Sequence, residues 1–236
     1  MSTTDDLQNR SISYKLSPSS LNLLLDCPRC FWLQIVKNIR RPDSIFPSLP
    51  SGMDKILKDH FDRFMEKNEL PPELKHHDCI KGCTLFHDRE KLKIWRNNLK
   101  GLRYKDESSG VILHGAIDNI LIKGNKLIVL DYKTRGFPVK EDSHEHYKLQ
   151  LDLYNFLLIK NGYETESYSY LLFYYPNKVL ETGEVIFDTK LIEVPANPSN
   201  GEHIFRKATD LIMQQDPPPP DPECKFCSWA KVICTE

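Results

Sequence analysis

No stretch of this sequence is apolar for anything near the ~20 residues that a membrane-spanning helix needs, so nothing in it reads as a span. The N-terminus, MSTTDDLQNR, is polar and acidic where a secretory leader would carry a basic patch and an apolar core. The expectation is a cytoplasmic protein that makes no membrane contact. An excess of one charge is lacking too: 32 Lys and Arg stand against 33 Asp and Glu, for a net charge of −1. Such a chain has no global positive field to hold a polyanion, so any nucleic acid it binds must lie in a local groove. No internal repeat is visible either, which excludes a solenoid or a propeller.

What is present is an ordinary globular composition, 40% hydrophobic and 28% charged. Residues 1–16 read as a flexible tail and 17–236 as one domain. Ser17-Pro18 is a helix start, and Leu21, Leu24 and Leu25 give that helix its apolar stripe as far as Asp26 or Cys27. Helix resumes over Phe31–Val36, and Pro42–Ser51 is a loop. A second helix runs from about Gly52 to Lys67, His76–His87 is irregular, and Asp88–Leu99 is a charged helix. Asp142 with Glu145 suggests a capping box for a helix that runs to Lys160 and stops at Asn161-Gly162. Strands follow at Tyr168–Tyr175 and Val185–Val194, then a helix over 201–214, and Pro217–Pro220 forms a stiff connector.

The most informative stretch is Val111–Lys133, VILHGAIDNILIKGNKLIVLDYK. Two apolar runs flank Gly124-Asn125, a favoured hairpin pair. If Lys123 and Lys126 close the loop, Asp118 falls opposite Asp131, and Lys133 shares a face with Asp131. Like charges set opposite one another across a sheet cost stability, and a divalent cation between them removes that cost. Mg²⁺ or Mn²⁺ suits hard carboxylate oxygens, and a lysine alongside can activate water and stabilise phosphate charge. Gln150 and Tyr154 are one helical turn apart and project together. His60 lies on the apolar face of the second helix, where a histidine is more often a core residue than a ligand.

Gly115-Ala116-Ile117-Asp118, then Asp131-Tyr132-Lys133, then Gln150-x-x-x-Tyr154, with a helical His60 before them, resemble the RecB-like branch of the PD-(D/E)XK nuclease superfamily. Within it the chain looks most like the CRISPR-associated RecB-like exonucleases and their stand-alone relatives, over residues 17–234. The resemblance implies an α/β, restriction-endonuclease-like core: a central mixed sheet flanked by helices, with the chain ends joined by a cysteine metal cluster. It implies a metal held by His60, Asp118, Asp131 and the Tyr132 carbonyl, with Lys133 catalytic and Gln150 and Tyr154 positioning the lysine or DNA. The expected function is a Mg²⁺- or Mn²⁺-dependent deoxyribonuclease acting on single-stranded DNA or DNA with a free end. CRISPR adaptation or DNA-repair proteins are its expected partners. A non-catalytic nucleic-acid-binding or assembly protein, built around a cysteine-bound metal, is the alternative.

Cys27-Pro-Arg-Cys30 near one end and Cys224-Lys-Phe-Cys227 with Cys234 near the other are suited to metal, zinc or an iron–sulfur cluster. In the resembling nucleases one N-terminal and three C-terminal cysteines hold a 4Fe–4S cluster, which matches Cys27, Cys224, Cys227 and Cys234. Here six residues separate Cys227 from Cys234, one more than the commonest family spacing, and Cys30 is an extra candidate, so the fourth ligand is Cys30 or Cys234. His76, His77, Cys79, Cys83 and His87 match no zinc spacing. Lys37, Arg40, Arg41 and the run Lys91, Lys93, Arg96, Lys100, Arg103, Lys105 could line a DNA groove, but a charged face is more often simply solvated.

Overall fold

The computed structural model describes residues 14–43 and 46–233. The expected tail lies outside the described residues up to position 13, whereas Lys15–Leu16 (β1) already belong to the fold, with Leu16 fully buried. Ser17 caps α1 (Pro18–Asp26), exchanging hydrogen bonds with Ser20. Cys27 alone separates α1 from α2 (Pro28–Val36). The next helix, α3 (Ser48–Glu66), begins earlier than expected, because Pro50 falls in the first turn, where its missing amide costs nothing. A short α4 (Pro72–Lys75) starts on the proline pair, and the stretch expected to be irregular contains an edge strand, β2 (Cys83–Leu85).

Asp88 caps α5 (Arg89–Trp95), which ends before Leu99 because the Trp95 carbonyl accepts the Ile117 amide at 3.1 Å. Two short strands follow, β3 (Leu102–Lys105) and β4 (Ile112–Gly115), then the hairpin of β5 (Asn119–Lys123) and β6 (Lys126–Thr134). Lys123 faces Lys126 as expected, and Gly124 alone supplies the positive φ of the turn, 58°. No Asp142–Glu145 capping box forms. A 3₁₀ turn over Glu145–Tyr147 leads into α6 (Lys148–Lys160), and Glu145 pairs instead with Lys148 at 3.4 Å. Strands β7 (Tyr168–Val179) and β8 (Val185–Pro195), α7 (Pro198–Ile212) and a C-terminal α8 (Lys225–Ile233) complete the described chain.

The architecture is α/β. A five-stranded mixed sheet has the order β2-β5-β6-β7-β8, and a three-stranded sheet the order β1-β4-β3. Strand β6 is central, antiparallel to β5 and parallel to β7, with α6 as the crossover that a parallel pair requires. Ile128, Val129 and Leu130 are fully buried, so this strand is covered on both faces. Tyr132 of this strand packs against Phe61 of α3, ring centres 4.6 Å apart. The segment expected to be one ladder from 111 to 134 is divided: β4 belongs to the small sheet and β5 to the large one. The chain changes sheets over Ala116-Ile117-Asp118, and Ile117 buries its side chain at the corner.

Gly115, the last residue before that corner, is pressed against α6. A Cβ there would stand 2.8 Å from Tyr154 Cε1 and 2.9 Å from Leu157 Cδ1, both on buried side chains. Gly115→Ala should therefore destabilise the fold by about 1–3 kcal/mol, the usual cost of overpacking. Urea unfolding checks this, and an unchanged midpoint would show that α6 can retreat.

Candidate functional site

The sheet change leaves Asp118 one residue outside the β5–β6 ladder, at a corner that its neighbours pin. Arg96 Nε donates to the Asp118 carbonyl at 2.6 Å, while Arg96 Nη1 binds Asp62 of α3 at 2.6 Å. The Asp118 carboxylate accepts the Tyr132 amide on Oδ2 at 3.1 Å and meets Lys58 Nζ on Oδ1 at 2.9 Å. Tyr132 thus touches Asp118 through its N–H, and its hydroxyl accepts from Asn119 Nδ2 at 2.7 Å. Within the ladder Asn119 pairs with Leu130, so the register carries Asp118 toward Asp131.

Asp131 lies in the central strand with 2% of its side chain exposed. Its Oδ2 receives no well-directed hydrogen bond among the described residues; its close neighbour is Lys133 Nζ at 2.5 Å. Burial pushes this carboxyl up to about 6, with Asp118 adding to the shift and Lys133 opposing it. Lys133 is held above its ordinary value: burial pulls it down, but Asp131 and Asp118 outweigh that. The ammonium also donates to Gln150 Oε1 at 3.0 Å and sits 4.6 Å from the Tyr147 ring centre. Gln150 Nε2 in turn donates to the Tyr154 hydroxyl at 2.8 Å. Asp118, Asp131, Lys133, Gln150 and Tyr154 therefore form one connected group, supplied by the sheet corner, β6 and α6.

His60 does not join them. Its Nε2 meets Glu73 Oε1 at 2.9 Å, and the Tyr174 hydroxyl donates to the same oxygen at 2.6 Å. The α3 side chains that reach the carboxylates are Lys58 and, one turn earlier, Asp54, whose Oδ2 accepts from Lys58 Nζ at 2.8 Å. The physical reason is helical phase: residues 54 and 58 share a face, and residue 60 is turned about 200° from 58. Sequence reasoning missed Asp54 and Lys58, although their i, i+4 spacing on the same helix was a usable signal. Side-chain exposure rises from 2% at Asp131 through 16% at Asp118 to 44% at Asp54, so the carboxylates open toward solvent on the α3 side.

A further buried acid, Asp152, is taken up structurally, accepting the Asn197 amide at 2.7 Å and Asn200 Nδ2 at 2.8 Å at the start of α7. Among the described residues, Cys27, Cys30, Cys224 and Cys227 bring their sulfurs within 4.8 Å of one another, a group that could hold a metal. Cys234 lies outside the described residues. Cys83 is buried in β2 and Cys79 exposed, and neither joins a ligand group. Arg41 is not simple solvated surface: it reaches Cys224 Sγ at 3.3 Å and pairs with Asp26.

A family model of the PD-(D/E)XK nuclease superfamily matches residues 15–235. The chain belongs to that superfamily. Membership implies metal-dependent nuclease chemistry with nucleic acid as substrate, and no described helix is long and apolar enough to cross a membrane. A solved structure titled "Crystal structure of SSO0001" aligns with 93% of this chain and 85% of its own, at 18% identity and a TM-score of 0.47. No curated protein matches the sequence.

Lys58 holds a positive charge between Asp54 and Asp118, where a divalent ion would compete with it. Lys58→Met should tighten Mn²⁺ binding roughly three- to tenfold, the scale of a partly exposed charge pair. Calorimetric titration checks this, and weaker binding would show that Lys58 supports the site rather than opposing the ion.

Proposed function

We propose that the protein is a Mg²⁺- or Mn²⁺-dependent deoxyribonuclease of the RecB-like branch, acting on single-stranded DNA or on DNA with a free end. The observation that carries this reading is Asp131: a carboxylate buried in a central strand and ion-paired to Lys133 Nζ at 2.5 Å, with Asp118 adding to its raised proton affinity. A second carboxylate beside a buried one is costly as it stands, and the all-oxygen donor set fits a hard divalent ion. Asp118 and Asp131 would hold that ion, with Asp54 the next carboxylate within reach of the same opening. When bound, the ion supplies an acidic water and neutralises charge on the scissile phosphate.

The remaining chemistry belongs to the chain. Gln150 fixes the Lys133 ammonium from the α6 side, and Tyr154 fixes Gln150, so the lysine is positioned by two successive hydrogen bonds. Lys133 owes its raised proton affinity to the two carboxylates. Where their charge is shared with a cation, burial pulls the lysine toward its neutral form, which suits it to take a proton from water and then return one to the leaving oxygen. In its charged form it stabilises the phosphate as negative charge builds up. A near-neutral net charge supports DNA recognition in a local opening rather than a general field, and the opening bounded by α3 is the candidate. CRISPR adaptation or repair proteins are the partners that the RecB-like reading suggests.

Purified protein should cut single-stranded DNA when Mn²⁺ is added, and Asp118→Ala, Asp131→Ala and Lys133→Ala should each lower the rate at least about 100-fold. Absence of metal-dependent cleavage on single-stranded, duplex and flapped DNA would favour a non-catalytic nucleic-acid-binding role. Protons compete with metal for Asp131, whose carboxyl titrates at about 6. At limiting Mn²⁺ the rate should rise with pH and level off above about that value, and the midpoint should move to lower pH as metal is increased. A midpoint that does not respond to metal concentration would assign the titration to another group.

A further inference from the structure

The two Cys-x-x-Cys pairs meet at the start of two helices. Cys27 is the N-cap of α2, yet its side chain makes no capping hydrogen bond there; Cys30 follows one turn later. Cys224 immediately precedes α8 and Cys227 lies in its first turn. The positive ends of both helix dipoles thus face the sulfurs and favour thiolates. The Asp221 amide approaches Cys27 Sγ at 3.5 Å and Arg41 Nη2 approaches Cys224 Sγ at 3.3 Å, adding donors around a negatively charged group. Cys27, Cys30 and Cys224 are buried, as a site closed to solvent requires.

The separations distinguish the two metals that suit such a group. Cys27–Cys227 is 3.8 Å, Cys30–Cys224 3.7 Å and Cys30–Cys227 3.5 Å between sulfurs. A single tetrahedral zinc with bonds of about 2.3 Å sets its four sulfurs about 3.8 Å apart. A 4Fe–4S cube carries each thiolate outward on a separate iron, which spreads the sulfurs to about 6 Å or more. The observed group has no room for a cube at its centre. Nor does the ligand set match the arrangement of one N-terminal and three C-terminal cysteines. Among the described residues Cys30 completes a group of four with Cys27, Cys224 and Cys227, two from each end of the chain.

We propose that Cys27, Cys30, Cys224 and Cys227 bind one zinc ion as a closed structural site, in place of the iron–sulfur cluster of the resembling nucleases. Zinc is redox-inert, so the site is a fixed clasp that ties α2 to the C-terminal helix. Arg29 Nη1 to the Pro218 carbonyl and Trp32 Nε1 to the Gln214 carbonyl, both at 3.3 Å, extend the same seam along the chain that leads into α8. The proposal does not rest on the nuclease reading, since its readout is metal content.

The test is anaerobic purification of the full chain from cells supplied with both iron and zinc, followed by elemental analysis and a visible spectrum. One zinc per chain and no absorption band near 400 nm are expected; about four irons with that band, or neither metal, would overturn the proposal. Cys30→Ser should lose the zinc and Cys234→Ser should retain it, and the reverse pattern would assign the ligand set to the iron–sulfur arrangement. Should Cys30→Ser fail to fold, cobalt exchanged into the wild-type protein decides: a tetrahedral four-sulfur site gives intense visible bands, whereas weak octahedral absorption overturns the assignment.

Discussion

Asp131 places a carboxylate in the middle of a sheet whose neighbouring residues are almost all apolar, and the surrounding structure is arranged to bear that charge. An ionised group this deep loses its water, and the protein compensates with Lys133 on the same strand face, which is itself mostly withdrawn from solvent. Lys133 then needs Gln150, and Gln150 needs Tyr154, so the requirement passes from the strand into α6. On the other side Asp118 brings a second negative charge, which draws Lys58 from α3. The sheet corner, the crossover helix and α3 are coupled through this single electrostatic problem, and a hard cation placed between the carboxylates is the simplest way to relieve it.

The two metal-suited places in the molecule differ in the ways their roles require. One is made of carboxylates, graded from fully buried to exposed, and so opens toward solvent. The other is made of four thiols in close contact, mostly buried, and offers no open position. The first sits on the central strands, where backbone geometry is most rigid; the second joins segments from opposite ends of the chain. The carboxylate group and the four-cysteine group thus lie on different elements and offer different donor atoms, oxygen in one and sulfur in the other.

Much of this was legible in the residues. The hairpin register followed from Gly124-Asn125 and from the alternation of two apolar runs, both local properties. The Ser17 cap and the stop at Asn161-Gly162 were likewise local and correct. What escaped was set by distant contacts. The corner at Ala116–Asp118 exists because β4 pairs with β1 and β3, neither of which has enough residues to announce itself. The capping box at Asp142 did not form, because the chain makes a 3₁₀ turn and enters α6 later. His60 was a metal ligand only by the resemblance; helical phase turns it to Glu73 and brings Asp54 and Lys58 to the carboxylates.

The sequence by itself determined which groups are available: two acids and a lysine in a hairpin of known register, a glutamine and tyrosine one turn apart, and two pairs of cysteines. These follow from periodicities of two and of 3.6 residues, which the chain carries locally. Only the tertiary structure decided which helix face meets the acids, how deeply Asp131 is buried, and that Cys30 closes on Cys224 and Cys227. Those outcomes depend on how elements far apart in the chain pack against one another, and the free energy that selects the packing is spread over the whole core.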